Sequence, residues 1–306
     1  MRIAFSLVAF TGLDFMASKQ TVVVTRTRNR PQFLKRAAES VMSQQYQDLS
    51  WVVVNDGGER DPVDAIVGAI SSECSCEVIH LESNVGMEAA GNIGMNSAAG
   101  RAAEYAAIHD DDDTWSTDFL AVMTQALASD ETLAGAVCRW SEIEEEVSDG
   151  AITPKGSSKT NEAGPLTLPR LAVRNRFPPI ALLFRVSAWK AAGGFAEHLP
   201  VLGDWDFNLR LMMQGDLAQV ADTLAFQHVR PESAGEEANT ITAKRDLHQA
   251  MRTRLINEYV RQDVRSGKPG LGTLLAQADM FEDGLEKISL RAQLRRVLGL
   301  KDRAGV

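Results

Sequence analysis

The stretch TVVVTRTRNRPQFLKRAAESVMSQQYQDLSWVVVNDGG, residues 21–58, decides the fold of this chain. It opens with a β-branched run at residues 21–25, which is typical of a buried strand. After a proline-containing loop, apolar residues recur at helical spacing over residues 32–45. A second apolar run at residues 51–54 ends abruptly at Asn-Asp-Gly-Gly. The stretch therefore predicts two strands of a parallel sheet, joined by a helix and covered on both faces.

The alternation of strands and helices continues along the chain. We expect helices at residues 62–70, 87–99, 115–129, 187–192 and 204–214, and strands at 77–81, 134–140 and 180–184, with another that ends at Ile108-His109. Ligands of open α/β sheets bind beyond the carboxyl ends of the strands. Asp56 and the aspartate run at residues 110–113 both follow such ends, so they are the first candidates for a site.

The chain divides into three segments. We interpret residues 1–19 as an N-terminal extension or misassigned start, because a strand begins directly behind it. Residues 20–235 form the α/β domain, and residues 236–306 form a helical C-terminal extension. Within the domain, residues 142–169 lack periodicity and predict a long mobile loop over the site, with a plain surface insertion as the alternative.

Composition narrows the class of protein. The chain holds 306 residues with a formal net charge of −9, which argues against a nucleic-acid partner. No apolar run approaches the ~20 residues that span a bilayer. Three sparse cysteines predict reduced thiols and a cytoplasmic protein. The basic, amphipathic stretch at residues 285–303 allows either peripheral contact with the inner face of a membrane or packing in a homo-oligomer.

The aspartate run at residues 110–113 predicts a cation site. Side chains alternate faces in an extended segment, so Asp110 and Asp112 are expected to share one face. Asp111 and Asp113 share the other face and support the turn. Converging carboxylates suit Mg²⁺ or Mn²⁺, and like charges in a row are costly without a cationic partner. The alternatives are a solvated acidic turn or a helix start before Trp115.

Motifs that follow one another over residues 20–235 resemble family 2 glycosyltransferases with the GT-A fold. They are TRNRP at residues 27–31, SVMSQQY at 40–46, VVVNDGG at 52–58, NVG at 84–86, AAGNIG at 89–94 and HDDDDTW at 109–115. The resemblance implies an α/β, Rossmann-like, mostly parallel sheet flanked by helices, with a C-terminal helical extension. It implies a metal-dependent, inverting transferase that moves a sugar from a nucleoside diphosphate sugar, with UDP favoured, to a hydroxyl of a saccharide or lipid-linked acceptor in polysaccharide or glycoconjugate synthesis.

The resemblance also assigns the donor side of the site. Thr27 and Asp56 would contact the nucleotide, with Asp56 the usual partner of the base. Asp112 would bind Mn²⁺ or Mg²⁺, whereas Asp110 would face the ribose or a metal-bound water. Asp111 is grouped with the donor-binding residues.

One departure from the family pattern concerns the donor phosphates. Gly91 stands where many members have arginine, so this contact would come from another arginine. The candidates are Arg26, Arg174, Arg176 and Arg230. His228 stands where related enzymes supply a histidine to the metal or the diphosphate; the alternative is a structural histidine.

The acceptor side is assigned to the segment that begins at Gly203-Asp204-Trp205-Asp206. Asp204 is the candidate catalytic base that takes the proton of the acceptor hydroxyl, and Asp206 is the second candidate. The alternative role of Asp204 is a helix N-cap. Trp205, Asp206 and Arg230 are expected to support the acceptor side. Gly203 replaces the glutamate that usually precedes the aspartate, which removes one carboxylate.

Two other functions compete with this interpretation. A sugar nucleotidyltransferase would share the sheet and the metal carboxylates, but residues 25–31 lack the glycine-rich loop that it needs. A non-catalytic sugar-binding protein on the same fold is disfavoured because Asp56, Asp110, Asp112 and Asp204 are all present.

Overall fold

The computed structural model describes residues 20–70, 75–148, 151–156, 158–230 and 245–288. The predicted extension at residues 1–19, the expected segment boundary at residue 235 and most of the basic stretch at residues 285–303 lie outside the described residues. Of this basic stretch, only the backbone of residues 285–288 is described, as part of a helix.

The first half of the fold is the predicted parallel sheet. The elements are β1 (Thr21–Thr27), α1 (Pro31–Met42), β2 (Leu49–Asn55), α2 (Asp61–Ile70), β3 (Ser75–His80), α3 (Met87–Met95), α4 (Ala98–Ala102) and β4 (Tyr105–Asp110). The strands lie in the order β3-β2-β1-β4, and every neighbouring pair is parallel. The α/β prediction is confirmed.

The second half extends the same sheet with antiparallel strands and adds the C-terminal helices. The elements are β5 (Thr114–Trp115), α5 (Phe119–Ala128), β6 (Gly135–Ser148), β7 (Ala151–Pro154), β8 (Lys159–Asn161), α6 (Leu168–Val173), β9 (Leu182–Arg185), α7 (Val186–Ala192), α8 (Gly203–Met212), β10 (Leu217–Val229), α9 (Arg245–Ser266) and α10 (Leu271–Ile288). The sheet continues from β4 through β9, β6 and β10 to β5. β6 and β10 are parallel, whereas β9 is antiparallel to both β4 and β6.

The expectation of an irregular loop at residues 142–169 is wrong for much of this segment. The pairing of β6 with β10 continues to Glu144, and residues 145–148 then pair with β7, so β6 runs on to Ser148. β8 pairs with residues 140–142 of the same strand. The alternation of buried and exposed residues that marks a strand is present here, but glutamates occupy both kinds of position. Glu144 and Glu146 are exposed, whereas Glu145 between them is buried. The segment therefore forms part of the sheet.

Strand register brings the candidate site residues to one edge of the sheet. β1 pairs with β2 up to Thr27 opposite Asn55, and with β4 up to Arg26 opposite Asp110. The core behind this edge is formed by the fully buried valines of β1 and β2, and the Trp51 indole donates a hydrogen bond to the Thr25 hydroxyl at 2.8 Å. The strand ends are thus held firmly where polar residues begin.

The C-terminal helices pack on the helix that carries Asp204. The Tyr259 hydroxyl of α9 donates a hydrogen bond to the Asp206 carboxylate at 2.6 Å, and the Arg252 guanidinium lies 5.1 Å from the centre of the Trp205 ring. Leu255 and Leu275 are buried in the same layer. None of the helices in the described ranges is long and apolar enough to cross a bilayer.

The expectation of reduced thiols is wrong at one position. Cys76 is disulfide-bonded, whereas Cys138 is a free thiol buried in β6. Burial raises the pKa of the Cys138 thiol to about 12, because the thiolate would lose its hydration. Cytoplasmic location stays a prediction.

We predict that Gly94 is required for the contact of α3 with the sheet. A methyl group at this position would overlap the Val24 side chain of β1 and lie 3.2 Å from that of Val54. Gly94→Ala should therefore lower the free energy of unfolding by about 1–3 kcal/mol. Urea unfolding measures this change.

The matched control is Gly68→Ala in α2, where no atom of the described residues lies within 4 Å of the added methyl group. This substitution should stabilise the protein by about 0.4–1 kcal/mol, because alanine restricts the unfolded chain. Equal destabilisation by both substitutions would contradict the proposed close packing.

Candidate active site

A cavity of about 350 Å³ opens at the carboxyl ends of β1 and β4. Its polar lining consists mainly of carboxyl and guanidinium groups, with asparagines and a histidine at its wall. The carboxyl groups belong to Glu88, Asp110, Asp112, Asp113 and Asp204, and the guanidinium groups to Arg26 and Arg30. Carboxyl groups outnumber the arginines, so an anionic ligand needs further positive charge to enter.

Each aspartate of the run has a different environment. Asp110, Asp112 and Asp113 line the cavity, whereas Asp111 is fully buried. The Arg26 guanidinium donates to the Asp110 carboxylate and also to the Met87 carbonyl at 3.1 Å. Alternation along the strand therefore predicted the position of Asp113 wrongly, because the chain turns after Asp110.

Arg30 covers the buried side of the run. Its guanidinium donates to both carboxylate oxygens of Asp111 and lies 3.4 Å from an oxygen of Asp112. The Thr27 side chain also hydrogen-bonds to Asp111. Burial raises the pKa of Asp111 to about 7, although the Arg30 charge opposes the shift. Thr27 and Asp111 therefore lie beneath the site, and neither side chain lines the cavity.

A second layer of charges lies beneath Asp112. Arg230 is fully buried, contacts the Asp112 carboxylate and donates to Glu145 at 2.6 Å, and its guanidinium lies 4.4 Å from the centre of the Phe33 ring. Arg36 donates to the other Glu145 oxygen at 2.7 Å. Arg230 thus supports Asp112 from below and does not line the cavity, and a role for it on the acceptor side stays a prediction.

Glu145 is the anchor of this layer. Burial alone would raise its pKa, but hydrogen bonds from His228 and Arg36 and the charges of both outweigh that cost and lower the pKa to about 2. Asp113 shows the opposite balance: burial and the nearby Asp112 raise its pKa well above the ordinary value, against one hydrogen bond from the His228 backbone N–H.

The sequence predicted a bound cation because the charges of residues 110–113 were expected to lack a cationic partner. That expectation is wrong. Asp110, Asp111 and Asp112 are paired with arginines on the neighbouring elements, namely Arg26, Arg30 and Arg230. Within the described ranges, no cluster of three His, Cys, Asp or Glu side chains is arranged to hold a metal ion. A cation at Asp110 and Asp112 would need ligands from a bound substrate.

His228 lies beneath the cavity. Its Nδ1 contacts the Glu145 carboxylate at 2.9 Å, and its Nε2 contacts the Thr114 hydroxyl at 3.0 Å. Both ring nitrogens have protein partners, which favours the structural alternative over the predicted metal ligand.

Asp56 occupies a turn behind the cavity. Its two carboxylate oxygens accept the backbone N–H groups of Val85 at 2.7 Å and Gly86 at 3.1 Å, immediately before α3. It is 6% exposed and does not line the cavity. The predicted contact with a nucleotide base remains a prediction, and the observed role of Asp56 is to hold the start of α3.

Asp204 faces the cavity from the first turn of α8. The N-cap of this helix is Leu202, with φ of 67°, so Asp204 does not cap the helix. Its carboxylate accepts a hydrogen bond from Asn175 at 2.6 Å, and Asn175 accepts one from Asn208 at 3.0 Å. Burial raises the pKa of Asp204, and the Asp110 charge adds to this shift. A positioned carboxyl group with raised pKa is suited to take up a proton.

The neighbours of Asp204 hold the helix in place. Asp206 is 2% exposed and accepts hydrogen bonds from Tyr259 and from Arg210 four residues later. The Trp205 indole donates to the Leu171 carbonyl at 2.7 Å. Neither Trp205 nor Asp206 lines the cavity, so the expectation of Asp206 as an alternative base has no support in this geometry.

Two cavity residues carried no sequence signal. Glu88 lies in the first turn of α3, where burial raises its pKa to about 7 although the Arg26 charge lowers it. His248 reaches the cavity from α9, and its buried Nε2 finds no hydrogen-bond partner in the described part of the chain. Both depend on contacts between distant segments, which periodicity and motif spacing do not report.

A mostly parallel sheet with a carboxylate-lined cavity at its carboxyl edge defines an α/β protein with a ligand site at the strand ends. Residues 22–190 match Glycosyl transferase family 2 and make up more than half of the chain, which therefore belongs to that family. The sequence prediction of this family and its fold is confirmed.

The chain is also similar to individual known proteins and structures. ExoW, a succinoglycan biosynthesis protein of Rhizobium meliloti (strain 1021), is 28% identical over 126 residues, which is 41% of this chain and 38% of ExoW. The structure of S. aureus TarS with UDP-GlcNAc aligns with a TM-score of 0.63 over 90% of this chain and 77% of TarS, at 17% identity. The mannosyltransferase PcManGT from Pyrobaculum calidifontis, with GDP-Man and Mn²⁺, aligns with a TM-score of 0.53 over 92% of this chain and 79% of PcManGT, at 17% identity.

We predict that Glu145 stabilises the site in a pH-dependent way. Glu145→Gln should leave the buried Arg230 and the partly buried Arg36 without their anion and lower the free energy of unfolding at pH 7 by about 3–5 kcal/mol. The pKa of Glu145 falls from 4.5 to about 2 on folding, so this stabilisation is present above pH 4.5 and lost towards pH 2. Denaturant unfolding across this range measures the difference.

The control is Glu146→Gln, which changes the same group one residue later. Glu146 pairs with Lys155 at the surface, 3.1 Å apart, and its loss should cost less than about 1 kcal/mol. A wild-type advantage over Glu145→Gln that persists unchanged at pH 2 would show that ionisation of Glu145 is not the cause.

Proposed function

We propose that this protein is an inverting glycosyltransferase that moves a sugar from a nucleoside diphosphate donor to a hydroxyl of an acceptor. The glycosyltransferase class follows from the family. The observation that carries the finer proposal is the single cavity shared by Asp110, Asp112 and Asp204. Two of these carboxylates lie at the end of β4, and the third reaches the same cavity from α8.

Asp204 acts as the general base. Its raised pKa improves its ability to take the proton from the acceptor hydroxyl as that oxygen attacks the anomeric carbon. Asn175 holds the carboxylate in a fixed orientation at 2.6 Å. Attack on the face opposite the leaving diphosphate, in one displacement, inverts the anomeric carbon.

Arg26 and Arg30 bind the departing diphosphate. Both guanidinium groups line the cavity beside Asp110 and Asp112, and neighbouring carboxylates raise the pKa of both against the effect of burial. Both therefore stay charged. Fixed positive charge at the leaving group stabilises the transition state without a general acid.

A divalent cation, Mn²⁺ or Mg²⁺, fits the donor chemistry of this edge. Asp110 and Asp112 present carboxylate oxygens to the cavity, and a hard divalent cation takes carboxylate and phosphate oxygens as its ligands. The ion, when bound with the donor, would neutralise charge on the phosphate oxygens. We assign it to Asp112 with support from Asp110, and exclude His228 from the ligand set.

UDP is the favoured nucleotide of the donor. The similar structures of TarS and PcManGT contain UDP-GlcNAc and GDP-Man respectively, which supports a nucleotide sugar and leaves the base to be measured. The partial match to ExoW supports an acceptor in polysaccharide synthesis, either a saccharide or a lipid-linked one. A cytoplasmic site with contact at the inner face of the membrane would suit such an acceptor.

We predict that Asp204→Asn abolishes most of the transfer activity. Release of nucleoside diphosphate from a panel of UDP, GDP and dTDP sugars with saccharide acceptors measures the reaction. Loss of the base should lower kcat by about 10²–10⁴-fold. The wild-type rate should rise with pH as Asp204 loses its proton, and the variant should lack this rise.

Asp222→Asn, which removes an exposed aspartate of β10 outside the cavity, is the control and should keep wild-type activity. Absence of nucleotide release by the wild type from every donor would reject the transferase. Full activity of Asp204→Asn would reject Asp204 as the base.

We also predict metal dependence. Removal of divalent ions with EDTA should lower the rate at least about tenfold, and Mn²⁺ or Mg²⁺ should restore it. The affinity for UDP, measured by calorimetry, should rise with Mn²⁺ in the wild type and respond less in Asp112→Asn. Unchanged activity in EDTA would instead leave Arg26 and Arg30 as the whole cationic support of the leaving group.

A further inference from the structure

Glu88 has an unusual place among the carboxyl groups of the cavity. It is 7% exposed, lies in the first turn of α3 and lines the cavity together with Asp204. Its carboxyl group interacts with the charges of Arg26, Asp204 and Asp110. Glu88 therefore shares this cavity with Arg26 and Asp110, which we assign to the donor, and with Asp204, which we assign to the acceptor.

The room for Glu88 comes from Gly203. A Cβ atom at Gly203 would overlap Glu88 Oε1 and lie 2.5 Å from both Cδ and Cγ of the same side chain. The three atoms nearest to such a Cβ all belong to Glu88. The φ angle of Gly203 is not in the left-handed region, so the backbone itself tolerates a side chain there. Glycine at this position is explained by the space that Glu88 fills.

A buried carboxyl group next to a catalytic base needs a hydrogen-bond donor to offset its lost hydration. Sugars carry adjacent hydroxyl groups, so an acceptor whose one hydroxyl reaches Asp204 presents another within reach of a neighbouring carboxyl group. Glu88 fills the space that a side chain at position 203 would occupy. Because Gly203 directly precedes Asp204, a group in this space is expected to reach the same acceptor as Asp204.

We propose that Glu88 binds the acceptor by accepting a hydrogen bond from a hydroxyl next to the one that Asp204 activates, and that it supplies from α3 the carboxyl group that Gly203 lacks. This inference rests on the proposed transferase function. It makes Glu88 a determinant of acceptor binding and leaves the nucleotide of the donor to other residues.

The test moves the carboxyl group from position 88 to position 203. Wild type, Glu88→Ala, Gly203→Glu and the double variant Glu88→Ala/Gly203→Glu are compared in kcat/KM for the acceptor, affinity for UDP and Tm. Glu88→Ala should lower kcat/KM for the acceptor about tenfold or more, with the affinity for UDP within about twofold of wild type.

Gly203→Glu alone should lower both Tm and activity, because its side chain overlaps Glu88. The double variant should regain Tm relative to Gly203→Glu, and its kcat/KM for the acceptor should exceed those of both single variants. Glu82→Ala, which removes an exposed glutamate paired with Arg60, is the control for loss of a charge and should match the wild type.

The outcomes separate this inference from the transferase proposal. A wild type that transfers from no donor rejects the proposed function, whereas Tm of the four proteins still tests whether Glu88 and Gly203 share one space. An active wild type with unchanged acceptor kinetics in Glu88→Ala rejects acceptor binding by Glu88. A double variant no better than either single variant rejects the exchange of the carboxyl group between the two positions.

Discussion

The buried pairing of Glu145 with arginines from two other segments is the constraint on which the site depends. β6 brings Glu145, α1 brings Arg36, and the end of β10 brings Arg230 and His228. Charges removed from water are tolerated only when they are paired and hydrogen-bonded. An arrangement of these segments that separates Glu145 from the arginines is therefore strongly disfavoured. The paired arrangement supports Asp112 from below and fixes this edge of the cavity.

The same pairing gives the aspartate run its division of roles. Asp111 and Asp113 lie among buried groups, and their pKa values are raised chiefly by burial. Asp110 and Asp112 line the cavity with arginines beside them, whereas Asp113 lines it without an arginine ion pair among the described residues. A charge change at any member alters the field at the others, so single substitutions within the run are expected to act non-additively.

The sequence was sufficient to predict the elements whose signals are local. Residues 21–58 contain the apolar runs of two strands and the helical spacing of α1. Asp56 and Asp110 were predicted at the carboxyl ends of strands, and both lie at that edge of the sheet. β6 was not predictable beyond Ser141, because its glutamates hide a pairing with β10 that lies some 80 residues away along the chain. The position of Asp204 followed from its motif, whereas Glu88 and His248 needed the folded chain. For His228 the motif predicted proximity to the site, but its two ring contacts depend on Glu145 and Thr114.

The attachment of α9 to α8 affects the cavity wall that carries Asp204. The stretch that matches the family ends at residue 190, before Asp204, and the helix that carries Asp204 is held by Tyr259 and Arg252 from further along the chain. The cavity wall that carries Asp204 is thus held in place from outside the cavity by α9. A change in α9 that removes either contact can therefore alter the geometry at Asp204 while the strand end that carries Asp110 keeps its own contacts.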